Sequence, residues 1–314
     1  MKTKNKIPVV VIFAPTASGK TALTRELFSR SGSHFILNAE IISADSQSVY
    51  KGMDIGTAKP DKELLKELPH HLIDILTIDK QFNVSDFVSL SDKACSEIFE
   101  KGKTPVICGG TGFYIRNFLY GVPPTPVCDE ELRKEIQQQL KKLGNRALYE
   151  KLKEIDYESA EKIHVNDSYR ICRALEIYYS SGKTRTSYQV ENRFRDEYDF
   201  TFIVLEPPRD LLYERIKQRV DLMIEAGLEE EIKSLLNEGY SKDCPGFKAI
   251  GYSEWFKYED KEQIIHAIKH DSCKYAKKQY TYIRDIPGSV VIPYTGVEKD
   301  IDSIKAALTK SVLT

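Results

Sequence analysis

Short, continuous apolar runs alternate with amphipathic stretches along the first 120 residues of the chain. "PVVVIF" (8–13), "EIISA" (40–44) and "TPVICGG" (104–110) are β-branched runs bounded by Gly, Pro or polar residues. "DFTFIVLE" (199–206) and "SVVIPY" (289–294) repeat the pattern later. Such runs fit strands covered on both faces, because a strand with one wet face would alternate. Helical patterns lie between them, for example "SDFVSLSDKACSEIFEKG" (85–102). Strand–helix alternation predicts an α/β fold, a parallel sheet flanked by helices. The rhythm stops after "FLYGVPPTP" (118–126). From Asp129 to about Gly182 the period is helical, and strand character returns near Phe200. An α/β core over residues 1–121 and 198–314, interrupted by an all-helical insertion domain over 122–197, is therefore expected.

Composition narrows the class. The chain has 314 residues, 41% hydrophobic and 30% charged, with a net charge of −1. That is enough apolar material for a core, and it is not the balance of a strongly basic nucleic-acid protein. A polyanionic partner would have to be met by a local patch. The six cysteines (Cys95, Cys108, Cys128, Cys172, Cys244 and Cys273) show no CxxC spacing and no companion His cluster. Buried, reduced thiols in a cytoplasmic enzyme are expected, rather than a zinc site or a disulfide framework. No signal-peptide layout is visible, and no run approaches the ~20 apolar residues of a membrane span.

The chemistry starts at "APTASGKT" (14–21), directly after the first predicted strand. It nearly matches the phosphate-binding pattern Gly-x4-Gly-Lys-Ser/Thr. In such a loop Gly19 lets successive N–H groups point inward, and the helix N-terminus behind them completes an anion nest. Lys20 adds a charge on the outer phosphates, and the Thr21 hydroxyl is placed to ligate Mg²⁺. Ala14 stands where the pattern has its first glycine, so its backbone is expected to avoid positive φ. Asp45 ends the second predicted strand, at the edge where ligands gather in parallel sheets. An Asp there can be a turn cap, a metal ligand or a general base, and position alone does not separate the three.

Longer blocks carry a resemblance. "PTASGKT", "ADSQSVYKGMDIGTAKP" (44–60), "PHHLIDI" (69–75) and "GGTGFYIRNFLYG" (109–121) resemble, in that order, the bacterial tRNA dimethylallyltransferases. So do "IHVNDSYRICRALEIYYSSGKT" (163–184), "AIGYSE" (249–254) and "YAKKQYTYIR" (275–284), so that the likeness runs from about residue 9 to 285. The resemblance implies a P-loop NTPase-like core. It also implies transfer of a dimethylallyl group from its pyrophosphate to N6 of the adenosine 3′ of the anticodon, in tRNAs reading codons that begin with U. Residues Ala14, Pro15, Thr16, Ala17, Ser18, Gly19, Lys20 and Thr21 would then hold pyrophosphate rather than a triphosphate, together with Arg219. Arg215 lies one turn from Arg219 on the same helix face.

By the same resemblance Asp45 is the general base, Thr111 lines the channel and touches the substrate nucleotide, and Mg²⁺ is the cofactor. The tRNA contacts it implies are Asp45, Ser46, Gln47, Ser48, Thr111, Arg133, Asn166, Asp167, Arg170, Arg173, Lys248, Gly251 and Tyr252. The family usually reads Asp-Ser-x-Gln-Val-Tyr where this chain has Asp45-Ser46-Gln47-Ser48-Val49-Tyr50. Either Gln47 takes over from one residue earlier or Ser48 makes a weaker contact. His164 is expected to be structural.

Two stretches pair cations with aromatics, "KTRTSYQVENRFR" (183–195) and "KHDSCKYAKKQYTYIR" (269–284). Cations contact phosphates and rings stack on splayed bases. Together with the insertion they suit the tRNA anticodon stem-loop. A monomer with no obligatory protein partner and no membrane contact is expected. Two rivals share the core. A P-loop nucleotide kinase would turn over ATP. A prenyltransferase of free adenine nucleotides would have little use for the insertion. A silent RNA-binding protein would not need Lys20, Thr21, Asp45 and Arg219 together.

Overall fold

The computed structural model of the protein describes residues 6–284 and 286–312. The chain runs β1 (Ile7–Phe13), α1 (Lys20–Phe28), β2 (Ala39–Ala44), α2 (Lys62–Glu67), β3 (His70–His71), α3 (Val84–Glu100), β4 (Thr104–Gly109) and α4 (Gly112–Tyr120). Three helices follow, α5 (Glu130–Ile155), α6 (Tyr157–Lys162) and α7 (Ser168–Ser181). The chain then returns through β5 (Tyr198–Glu206), α8 (Arg209–Glu225), α9 (Leu228–Asn237), α10 (Lys261–Gln279), β6 (Val290–Pro293) and α11 (Val297–Val312).

All the strands are parallel, in the order β3-β2-β4-β1-β5-β6. The five strands expected from apolar runs are present. β3 was not expected: it is two residues, His70 and His71, paired with Ile41 and Ile42 at the sheet edge. So short a strand carries no periodicity to read.

β1 is central, between β4 and β5, and its alternation feeds both faces. Val10 and Ile12 pack with Leu23, Leu27 and Phe28 of α1 and Ile304 and Leu308 of α11. Val9, Val11 and Phe13 face the other way and are equally buried. α3 starts sharply because Asn83 and Asp86 form a reciprocal capping box.

The chain divides into two compact units, Met1–Leu119 with Phe194–Thr314, and Tyr120–Arg193. The second unit has its own core of Ile136, Leu148, Leu152, Ile163, Ile171 and Leu175. Its long helix α5 is kinked at Gly144, where φ is +78°. Asp129 and Asp167 cap α5 and α7 through their carboxylates. Glu176 is buried in this unit and is met by Arg173 at 3.1 Å and Arg133 at 3.6 Å. Among the described residues, no helix is long and apolar enough to cross a membrane. All six cysteines are free thiols, five of them buried.

Candidate active site

Four segments meet at the carboxyl ends of β1, β2 and β4. The first is the loop from Ala14 to Gly19. Gly19 has φ +95°, open to glycine and costly to any other residue, and it forms the N-cap of α1. The first intrahelical bond there runs from the Leu23 N–H to the Gly19 carbonyl, so the amides ahead of it are left at the helix end, as an anion site requires. Ala14 is fully buried and is not among the positive-φ residues, as expected. Its N–H donates to the Gly109 carbonyl at 3.2 Å, which extends the sheet by one bond and takes this amide out of the nest. Pro15 has no N–H to offer. Ala17 carries the loop's strain instead, with φ +58°.

Lys20 lies along this loop, its ammonium donating to the Ala14 and Pro15 carbonyls at 2.9 and 2.7 Å. Burial pulls its pKa down to about 8; Cys108 opposes the shift, the Arg219 charge adds to it, and Asp45 opposes it. Arg219, from α8, is also lowered by burial and held up by Asp45. The Asp45 carboxylate thus acts on both cations, and Arg219 acts on Lys20, so the three charges share one electrostatic neighbourhood. Arg219 is seated by the Thr57 carbonyl, 3.4 Å from its guanidinium. Arg215 is turned elsewhere and donates to the Thr295 carbonyl.

The second segment follows β2. One oxygen of Asp45, Oδ1, accepts the N–H groups of Gln47 at 2.8 Å and Ser48 at 3.4 Å. The residue therefore is a turn cap. Among the described residues no hydrogen bond reaches Oδ2, so capping does not consume the carboxylate. Ser48 is buried, whereas Gln47 is half-buried and donates to the Ser46 hydroxyl at 3.3 Å. Of the two alternatives for this turn, Gln47 is the less buried, and its Oε1 lies inside without a hydrogen-bond partner among the described residues.

The third segment, after β4, carries Thr111. Its Oγ1 accepts the Ser46 N–H at 3.1 Å, which ties it to the Asp45 turn. Gly109 has no room for a side chain, since a Cβ would lie 2.2 Å from the Ala44 carbonyl oxygen. The fourth is the end of α10. Burial pushes the Tyr275 phenol up to about 12; the Asp45 charge adds to this, and hydrogen bonding with Thr111 and Gln279 opposes it.

Two residues that the sequence did not single out hold this arrangement. Gln279 accepts the Thr16 N–H at 3.1 Å and donates to the Gly110 carbonyl at 2.7 Å. Glu231 of α9 accepts the N–H groups of Asp54 and Ile55 at 2.8 Å and of Gly56 at 3.3 Å, fixing the loop that presents the Thr57 carbonyl to Arg219. In the sequence Glu231 reads only as an acid in the first turn of a helix. Lys59 of the same loop is nearly enclosed and is spent on the Tyr50 carbonyl, Asp54 and Asp74.

Several residues expected at an RNA surface are placed differently. Tyr252 has no exposed area and donates its hydroxyl to Glu231, so it is a core residue. Gly251 is buried beside it with its N–H on Glu254. Neither is available to RNA, while Lys248 is exposed. In the helical unit, Arg170, Asn166 and Tyr169 are exposed, Tyr169 to 80%. Asp167 accepts the Arg170 N–H as a cap, and Arg173 is drawn to Glu176 and the Pro126 carbonyl. His164 accepts the Asn166 N–H, a structural role. Arg195 pairs with Asp92 at 2.8 Å beneath the rings of Phe118 and Tyr198. On and after α10, Lys274, Tyr275, Lys277, Lys278 and Tyr282 are exposed, while Tyr280 packs edge-on against Phe13.

The chain is similar to known proteins over most of its length. Residues 48–286 match the model of the family described as IPP transferase. A tRNA dimethylallyltransferase of Acetivibrio thermocellus is 43% identical over 284 residues, covering 88% of this chain and 89% of the relative. One from Geobacter sulfurreducens is 37% identical over 311 residues, covering 98% and 97%. The crystal structure of a full-length tRNA isopentenylpyrophosphate transferase from Bacillus halodurans superposes with a TM-score of 0.67 at 36% identity, covering 98% of each chain. A eukaryotic dimethylallyltransferase described as acting on tRNA superposes with a TM-score of 0.81 at 26% identity, covering 97% of this chain and 78% of the other. The match over most of its length establishes that the chain belongs to the IPP transferase family, prenyl-transferring enzymes with a P-loop NTPase-like core.

Proposed function

We propose that the protein transfers a dimethylallyl group from dimethylallyl pyrophosphate to N6 of the adenosine 3′-adjacent to the anticodon, in tRNAs reading codons that begin with U, giving N6-isopentenyladenosine and free pyrophosphate. The observation that carries the reading is the gathering of Lys20, Arg219 and Asp45 at one end of the sheet, two cations for a leaving diphosphate and one carboxylate for a proton.

The residues divide the work. Amides at the start of α1, Lys20 and Arg219 take up the negative charge that grows on the bridging oxygen as the C–O bond breaks. The N6 lone pair forms the new C–N bond, and Asp45 Oδ2 accepts the proton that N6 sheds. Thr111 holds the Asp45 turn and lies where the flipped adenosine enters. The Thr21 hydroxyl, exposed on the first turn of α1, is a hard oxygen donor suited to Mg²⁺. That ion, when bound with the diphosphate, supplies further neutralisation of the leaving group. For the RNA, Arg170, Asn166 and Tyr169 of the helical unit and Lys274, Tyr275, Lys277 and Lys278 of α10 supply cations, hydrogen bonds and rings to the anticodon stem-loop. Gln47 reads the neighbouring nucleotide in place of the family's usual Gln. The protein acts as a cytoplasmic monomer.

The test is label transfer. The enzyme is given Mg²⁺, radiolabelled dimethylallyl pyrophosphate and either unmodified tRNA or AMP, with Asp45→Ala as control. Label in tRNA alone, lost in the variant, is the expected result. Label in AMP would move the protein to the free-nucleotide class. ATP hydrolysis with no label in either would mean that the loop holds a triphosphate.

A further inference from the structure

Gln279 sits at the last turn of α10, 4% exposed, and bridges two loops that approach from different strands. Its Oε1 accepts the Thr16 N–H of the phosphate loop, and its Nε2 donates to the Gly110 carbonyl of the loop after β4. An amide is the one side chain of this length that offers an acceptor and a donor on one rigid plane. The neighbours also fix its orientation, since an N–H must meet the oxygen and a carbonyl must meet the NH₂. The fit is close: a Cβ on Gly110 would lie 2.3 Å from Nε2 and 3.2 Å from the Ala14 carbonyl oxygen. One residue on, Thr111 accepts the Ser46 N–H, next to Asp45. A continuous line of hydrogen bonds and backbone thus runs from the phosphate loop through Gln279, Gly110 and Thr111 to the Asp45 turn.

From this line we infer that Gln279 is a positioning residue for the transfer reaction, setting the phosphate loop in register with the Thr111 and Asp45 loops so that the departing diphosphate and the proton acceptor sit at a working separation. The inference rests on the reading of residues 14–21 as the pyrophosphate site. It goes beyond that reading because Gln279 is buried and its amide oxygen and nitrogen bond backbone groups of the two loops. A register error of about 1 Å costs on the order of 10²-fold in rate even when every reacting group is intact.

The isosteric replacement Gln279→Glu separates positioning from packing. Ionised, its carboxylate would face the Gly110 carbonyl, acceptor against acceptor. Protonated, it again presents one donor and one acceptor. Label transfer from dimethylallyl pyrophosphate to tRNA is measured for the wild type, Gln279→Glu, Gln279→Met and Lys20→Ala between pH 5.5 and 8.5 (roughly the range a buried carboxyl can be pushed into), with melting temperatures alongside. Expected is a kcat about tenfold or more below wild type for Gln279→Glu at the alkaline end, with the ratio to wild type recovering as pH falls. Gln279→Met should show a similar loss at every pH, with the KM for dimethylallyl pyrophosphate within about threefold of wild type. A Gln279→Glu ratio that does not change with pH, or a loss in either variant confined to melting temperature, overturns the inference. Lys20→Ala keeps the two readings apart. If it retains donor KM and kcat, the phosphate-loop reading itself fails. If it is inactive while Gln279→Glu shows no recovery, only the role of Gln279 fails.

Discussion

Thr111 Oγ1 accepts the backbone N–H of Ser46 at 3.1 Å, so the residue beside the Asp45 carboxylate is pinned from a different strand. Removing that acceptor frees the turn without touching the carboxylate. Thr111→Val should lower kcat about 10- to 100-fold while leaving donor KM within about threefold, and Thr111→Ser should stay near wild type. Steady-state label transfer at varied donor concentration distinguishes the two.

Asp45 uses Oδ1 for the turn, and Oδ2 is the oxygen proposed as the proton acceptor. Asp45→Asn preserves the turn acceptor and loses the base, so kcat should fall about 10²- to 10⁴-fold with an unchanged melting temperature. Asp45→Ala should lose activity and also about 1 kcal/mol of stability, read by urea unfolding.

Lys20 is brought down to about 8 from an ordinary value near 10.5. In the free protein its ammonium is therefore present below pH 8 and lost above it. Donor KM should be flat below about pH 8 and rise up to about tenfold per pH unit beyond, the slope of one titrating group. Lys20→Arg stays charged, so its KM should be higher at neutral pH but lack this alkaline rise. The unfolded chain keeps the proton up to 10.5, so folding stability should increase slightly with pH across that window.

Glu40 stands at the opposite end of β2. Burial alone would raise its carboxyl, but hydrogen bonds from Lys103, His71 and Lys101 outweigh this and bring it to about 2. The sign follows: this stability is fully present above about pH 4.5, the unfolded value, and is lost as pH falls toward 2. Glu40→Gln should destabilise the protein by about 1–3 kcal/mol at pH 7 and flatten the acid limb of the stability curve, while kcat stays within about twofold. Denaturant melts from pH 2 to 7 check both.

What could be read in advance was what repeats locally. The apolar runs that became β1, β2, β4, β5 and β6 are continuous over several residues, and the phosphate loop and Asp45 sit where a strand must end. Gln279 and Glu231 were out of reach for a specific reason. Their backbone partners lie 263 and 169 residues away for Gln279 and 175–177 for Glu231, and no spacing rule spans such a gap. Tyr252 and Ser48 were assigned to the RNA by their place in a motif. A motif gives the neighbourhood but not the direction of the side chain, and both point inward. Arg173 shares a face of α7 with Arg170, as expected, but its guanidinium is engaged by the buried Glu176 one turn on, which the spacing did not show.

The position of β1 also governs how the chain assembles. β1 takes its two partners from far downstream, Val10 pairing with Val106 on one side and Thr201 on the other. At about 5–20 residues per second, β1 waits on the order of 10–40 s on the ribosome for β5. The helical unit, with a core of its own contained in Tyr120–Arg193, emerges within that interval and can form first. Chains truncated before Tyr198 and released from the ribosome should therefore protect residues 130–181 from protease while leaving the phosphate loop open to cleavage, because β1 still lacks its β5 partner.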